Sequence, residues 1–155
     1  MHHLAAQWIV GLLRDRNIPF LICGGLAAKG YGSERDLYDI DLFIPGEHFS
    51  SVVKAGHEFV SKAAAHRQEE GWDLTYVQFR YEGIKVEVGS ADGPKIFDAS
   101  NEAWVLLNID FSRYEPAHLL GLDLPLILKE DLIYYKSLLS RPVDIEDVRA
   151  MIERA

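Results

Sequence analysis

A mixed α/β (α+β) fold, with helices flanking a mixed β-sheet and further helices closing the chain, is predicted by three observations. Apolar residues recur at helical spacing from Leu4 to Arg16 and again after Pro125. Short apolar runs bounded by glycine and proline fill the stretch between them. Two strand-like runs, Leu74 to Arg80 and Ile84 to Val88, are separated by Tyr81-Glu82-Gly83, a gap of hairpin length.

Taken in order, Leu4, Trp8, Ile9, Leu12 and Leu13 form the apolar face of a first helix over 4–16. Asn17-Ile18-Pro19 ends it, because proline cannot extend the backbone ladder. Phe20 to Cys23 predicts a short buried strand, Gly24-Gly25 a tight turn, and Leu26 to Tyr31 one or two helical turns. The loop from Gly30 to Asp36 leads into a second strand, Leu37 to Ile44, stopped at Pro45-Gly46. Phe49, Val52, Val53, Phe59 and Val60 predict a helix from Glu47 to about Ala65 in spite of Gly56. After the hairpin and a loop at Asp92-Gly93-Pro94, the segment from Trp104 to Ile109 is compatible with strand or helix. Leu128, Leu132, Tyr135 and Leu139 share one face of a helix running from Pro125 to about Ser140. Arg141-Pro142-Val143 interrupts it, and a last helix starts at Asp144.

With 155 residues the chain is expected to form a single domain over 1–155, its core at about 4–90 and its C-terminal helices at about 125–155. A formal charge of −8 argues against a broad basic surface, so nucleic acid is the less favoured partner. Cys23 is the only cysteine, which excludes an intrachain disulfide and any multi-cysteine zinc site; its apolar surroundings suit a small buried side chain. No apolar run has the length of a bilayer span, and Arg14-Asp15-Arg16 follows the N-terminal apolar segment rather than preceding it, unlike a secretory signal. A cytoplasmic location is expected.

The chemistry concentrates between Phe20 and Pro45. Asp39 and Asp41 are two residues apart, so in a strand both carboxylates point to one face while Ile40, Leu42 and Ile44 point to the other. Two adjacent negative charges call for a counter-charge, and oxygen donors of this kind suit magnesium or manganese. The alternative is an acidic strand face in water. Gly24-Gly25 is either a plain turn or a place where backbone approaches an anion such as phosphate closely. Glu87, between Val86 and Val88, is either an edge-strand residue facing water or a third acid for the same site.

The glycine pair after an apolar strand, the Asp39-Ile40-Asp41 element and the later acid Glu87 together resemble the DNA polymerase beta-like nucleotidyltransferase superfamily. With Arg35 ahead of the aspartates, the chain looks like its small Gly-Gly/DxD members related to aminoglycoside and lincosamide nucleotidyltransferases. The run from Lys136 to Asp147 is similar to that family's closing pattern, except that Val143 stands where lysine is usual.

The resemblance implies a nucleotidyltransferase-like sheet and transfer of an NMP from an NTP to a hydroxyl, with Mg2+ (or Mn2+) as cofactor. Asp39, Asp41 and Glu87 would hold the metal ions, and Glu87 could also take the acceptor's proton. Gly24 and Gly25 would carry phosphate, while Arg35 and Lys136 would neutralise the remaining charge or, in the bland alternative, lie solvated. The acceptor implied is a small molecule such as an aminoglycoside-like antibiotic. A protein or tRNA acceptor, as in toxin and antitoxin nucleotidyltransferases, and a non-catalytic nucleotide-binding module remain alternatives. Asp144 and Asp147 read as helix-start acids favourable to the helix dipole and stay outside the expected site. Tyr31 and Tyr38 are candidates for base stacking, Trp72 and Trp104 for the acceptor side, and the histidines for surface positions.

Overall fold

The side chains that matter are placed by the pairing of a few central strands. The computed structural model describes residues 1–153. Its helices are α1 (His2–Arg14), α2 (Gly24–Gly30), α3 (Phe49–Ala55), α4 (Lys129–Leu139) and α5 (Pro142–Glu153). Its strands are β1 (Leu21–Cys23), β2 (Ile40–Ile44), β3 (Val60–Glu69), β4 (Trp72–Tyr81), β5 (Ile84–Ser90), β6 (Lys95–Asp98), β7 (Ala103–Leu106), β8 (Glu115–Leu119) and β9 (Leu122–Leu126). The strands form a mixed sheet in the order β7-β6-β4-β5-β2-β1-β9-β8, with β3 on the other edge of β4. The mixed α+β expectation is met.

Strand alternation sorts the two faces. Ile40, Leu42 and Ile44 of β2 align with Val86, Val88 and Ser90 of β5, and Val88 and Val86 pair with Val77 and Phe79 of β4. This is the apolar face, and α1 covers it through Trp8, which stacks on Tyr81 at 5.0 Å and meets Phe59 and Phe79 edge-on. Fully burying one side chain such as Phe79 is worth about 1.5–3 kcal/mol, so this layer supplies much of the stability. The β4–β5 hairpin closes through Glu82 and Gly83, both at positive φ, the conformation a tight two-residue hairpin turn requires.

Several boundaries differ from expectation. The helix from Glu47 to Ala65 stops at Ala55, and Val60–Glu69 is a strand. Its alanine-rich composition favours helix, but Gly56 ends α3 and the open edge of β4 takes the next residues into a ladder, with register shifts near Lys62. β2 begins at Ile40 rather than Leu37, because the loop before it is tied through Arg35 to α5. Pro125 lies in β9, opposite Pro116 of β8, and the following helix starts only at Lys129. Ala103–Leu106 resolves the ambiguous segment as a strand paired with β6, and β6, β8 and β9 were not anticipated. No helix among the described residues is long and apolar enough to cross a membrane.

Candidate active site

The polar face of the same strands carries the acids. β2 and β5 are parallel neighbours with Asp41 directly beside Glu87, and Glu87 pairs in turn with Gln78 of β4. Paired residues project to the same side of a sheet, so Asp41, Glu87 and Gln78 form a row, with Cys23 of β1 on its other side. Asp39 sits one residue before β2. Lys85, two residues before Glu87 and on the same face, reaches Asp39 Oδ2 at 3.3 Å and Glu87 Oε1 at 3.6 Å. Burial, then the charges of Glu87 and Asp39, push the Asp41 carboxyl up to about 7. Burial also raises Glu87, against the opposing pull of Lys85. The Cys23 thiol, buried beside Asp41, is pushed well up and stays protonated, in keeping with a packing residue.

The glycine pair makes room for these groups. Gly24 has φ +58°, and a Cβ there would stand 2.5 Å from Asp41 Oδ2. A Cβ on Gly25 would stand 2.7 Å from Arg35 Nη2. The turn thus lets a carboxylate and a guanidinium approach the backbone that links β1 to α2. The Gly24 amide is already engaged, since it donates to the Tyr135 hydroxyl of α4 at 2.7 Å.

A second cluster flanks the acids. Arg35 grips Asp147 with two hydrogen bonds of 2.7 and 2.9 Å, and Ser33 Oγ donates to the same carboxylate at 2.9 Å. Lys136 Nζ lies 3.1 Å from both Asp144 and Asp147, and Arg141 binds Asp144 at 2.6 and 3.1 Å. The charges alternate from Arg35 through Asp147, Lys136 and Asp144 to Arg141. Lys136 is 2% exposed, the Arg35 side chain 13% and both aspartates 0%, so neither cation candidate lies solvated at the surface. The helix-start reading holds for Asp144, which lies in the first turn of α5 and accepts from the Arg141 backbone N–H at 3.2 Å, but not for Asp147, which lies beyond that turn; both carboxylates also face inward and anchor the cations. Burial alone would raise Asp147, but the hydrogen bond from Arg35 and the charge of Lys136 outweigh it and hold the carboxyl below its ordinary range.

Both clusters open into one cavity of about 520 Å3. Arg35, Lys136 and Arg141 line it while Asp144 and Asp147 stand behind them, and Asp39, Asp41 and Glu87 line the sheet side. The far wall is Trp72 with Tyr76, Lys62 and Glu69. Lys62 donates to Tyr76 at 2.7 Å and pairs with Glu69 at 3.0 Å, and Tyr76 also donates to Glu69. Tyr38 stands at the rim, 67% exposed. Tyr31 instead donates to the Ile127 carbonyl, and Trp104 packs on Phe97 at the β6–β7 edge, so neither lies in the cavity.

The donor set fits a hard cation, being carboxylate oxygen throughout. As the side chains stand, no three His, Cys, Asp or Glu residues among those described are gathered closely enough to hold an ion, and Lys85 occupies the space between two of them. Lys85, Lys62, Glu69 and Tyr76 were missed from sequence. For Lys85 the signal existed, since it precedes Glu87 by two residues in a strand and must share its face.

No family model and no curated protein matches this sequence. Solved structures do. A candidate nucleotidyltransferase from Thermotoga maritima, TM1012, superposes with a TM-score of 0.72 at 20% identity, covering 97% of this chain and 92% of that one. The lincosamide antibiotic adenylyltransferase LnuA, in its lincomycin-bound form, gives 0.65 at 12% identity over 100% and 98%. The antibiotic-resistance factor ANT(2'')-Ia gives 0.64 at 17% identity over 98% and 83%. At these identities the likeness is one of architecture: the chain has the nucleotidyltransferase-like fold of these structures.

Proposed function

We propose that this protein is a metal-dependent nucleotidyltransferase that moves an NMP from an NTP to a hydroxyl, with a small molecule such as an aminoglycoside-like antibiotic as the favoured acceptor. The observation that carries the reading is the in-register pairing of Asp41 with Glu87, beside Asp39 and a glycine turn, in one cavity. Asp39, Asp41 and Glu87 would hold magnesium or manganese after a rotation of their side chains. The bound ions would acidify the acceptor hydroxyl and offset the charge of departing pyrophosphate.

The chain's own groups do the rest. Glu87 lies on the side of Gln78 and the Trp72 wall, so it is the acid that takes the acceptor's proton. Arg35 and Lys136, with Arg141, front the cavity as cations already oriented by buried aspartates, and they offset the triphosphate charge without reorganising. Tyr135 holds the Gly24 amide, which leaves Gly25 as the glycine amide to carry phosphate oxygen.

The test is incubation with labelled ATP, GTP, CTP and UTP, magnesium or manganese, and a panel of hydroxyl acceptors. Pyrophosphate release that disappears in Asp39→Ala, Asp41→Ala and Glu87→Gln supports the reading. Lys85, already paired with two of the acids, favours one competing reading, a nucleotide-binding module without turnover. Nucleotide binding with no release across the whole panel would select that module and reject the enzyme.

A further inference from the structure

The ammonium of Lys85 is the one cationic group in ion-pair contact with the expected metal-binding acids among the described residues. It contacts Asp39, just ahead of β2, and Glu87 of β5, so one side chain bridges the two halves of the acidic row. Its neighbours explain why it lies there. Arg80, which faces Lys85 across the β4–β5 ladder, turns away and donates to the Gly83 carbonyl at 3.1 Å. Lys62 on the far wall is engaged by Tyr76 and Glu69. Lys136 is held by Asp144 and Asp147. Among the described residues, every other cation near the acids has a partner elsewhere, and Lys85 has none except the acids themselves.

Resting on the proposed metal site, we propose that Lys85 is a resident counter-cation that a divalent ion must displace, and that it thereby sets the protein's affinity for metal. The physical argument is competition for the same oxygens. With Lys85 in place, part of the carboxylate charge that would attract an ion is already neutralised, and the ion must also break two ion pairs. The ammonium is tethered to β5 by a flexible four-carbon stem, so it can withdraw without moving the backbone. A withdrawn ammonium needs a new anionic partner, and the triphosphate of a nucleotide entering the same cavity supplies one. Metal entry is therefore weak by itself and strengthened by nucleotide.

The test measures binding, not turnover. Free Mn2+ is followed by electron paramagnetic resonance during titration of the full chain as wild type, Lys85→Met, Lys85→Gln and Lys85→Arg. The Met and Gln variants remove the charge, and Arg retains it; circular dichroism and melting confirm folding. Met and Gln are expected to tighten Mn2+ binding by about tenfold, the size of a partly solvated charge contact, with Arg close to wild type. Binding in Met and Gln no tighter than wild type, with an Asp41-dependent site present in all, overturns the role of Lys85 and leaves the metal site standing. A tight site that persists when Asp41→Asn is added to Lys85→Met, or no Mn2+ binding in any variant even with a non-hydrolysable nucleotide, overturns the metal site itself and this role with it.

Discussion

Asp147→Asn is the sharpest test of how the cavity's cations are held. The carboxylate is fully buried, and it accepts from Arg35 twice, from Ser33 and from Lys136. Asparagine preserves the shape but removes the charge and turns one acceptor into a donor, which faces an Arg35 or Lys136 N–H. Removing one partner of a buried ion pair costs about 3–5 kcal/mol, because the surviving charges are left uncompensated. For a chain of this size that corresponds to a fall in Tm of roughly 6–20 °C, a large part of a typical folding stability of about 5–15 kcal/mol.

Urea denaturation should show a lower midpoint at unchanged slope. The double variant Arg35→Met/Asp147→Asn should lose less than the sum of the single losses, by about 0.5–3 kcal/mol. The pH dependence provides an independent check. Arg35 and Lys136 overcome the effect of burial and hold Asp147 below its ordinary range, so its contribution is complete above the unfolded carboxylate value and is lost as pH falls through the folded one. Asp147→Asn should therefore flatten the acid limb of the stability curve. A loss below about 1 kcal/mol with an unaltered acid limb would refute the view that this carboxylate organises the cations.

Three further outcomes are expected. The Asp41 carboxyl is raised to about 7 by burial and by Glu87 and Asp39, so in the metal-free protein its ionised form lowers stability as pH rises; Asp41→Asn should raise Tm more at pH 8 than at about pH 5, measured by calorimetry, while abolishing pyrophosphate release. Gly24→Ala should cost about 1–2 kcal/mol in thermal denaturation from its left-handed backbone alone and more from the contact with Asp41, whereas Gly25→Ala has no such backbone strain and acts by pressing on the Arg35 guanidinium that Asp147 holds. Tyr135→Phe leaves the Gly24 amide without its acceptor and should cost about 1–3 kcal/mol by urea denaturation, with the glycine-turn amide exchanging faster with deuterium.

What could be read from the sequence was what local period reports. Strand alternation put Asp39 and Asp41 on one face, and the glycine-containing gap at Glu82-Gly83 announced the hairpin; both follow from spacings of two to four residues. β3 was illegible because Ala63-Ala64-Ala65 carries a helical preference, and a partner strand that follows it in sequence overrode that preference. β8 and β9 went unread for a related reason: each carries a proline, at 116 and 125, which strands generally disfavour, yet both are tolerated opposite each other in a short hairpin at the sheet edge. β6 and β7, of four residues each, are too short to show a period.

The site was legible on its sheet side and not on its helical side, and the difference is one of sequence distance. Asp41 and Glu87 belong to strands whose apolar flanks announce burial, so an acid within them already demands compensation. Asp147 meets Arg35 from 112 residues away, in a helix whose surroundings are polar. An acid near a helix start has an adequate local explanation in the helix dipole, and that explanation hid the tertiary one. The feature that separates them is the company of Lys136, Asp144 and Asp147: with α4 packed on α5, positions 136, 144 and 147 fall on facing sides of the two helices, so cation and acids must meet. A lysine and two aspartates that face each other inside a helix pair carry a net charge of −1, so burying them calls for further cations, which Arg35 and Arg141 supply. Counting Arg35, Lys136 and Arg141 against Asp144 and Asp147 leaves one positive charge, and it is the cations that face the cavity.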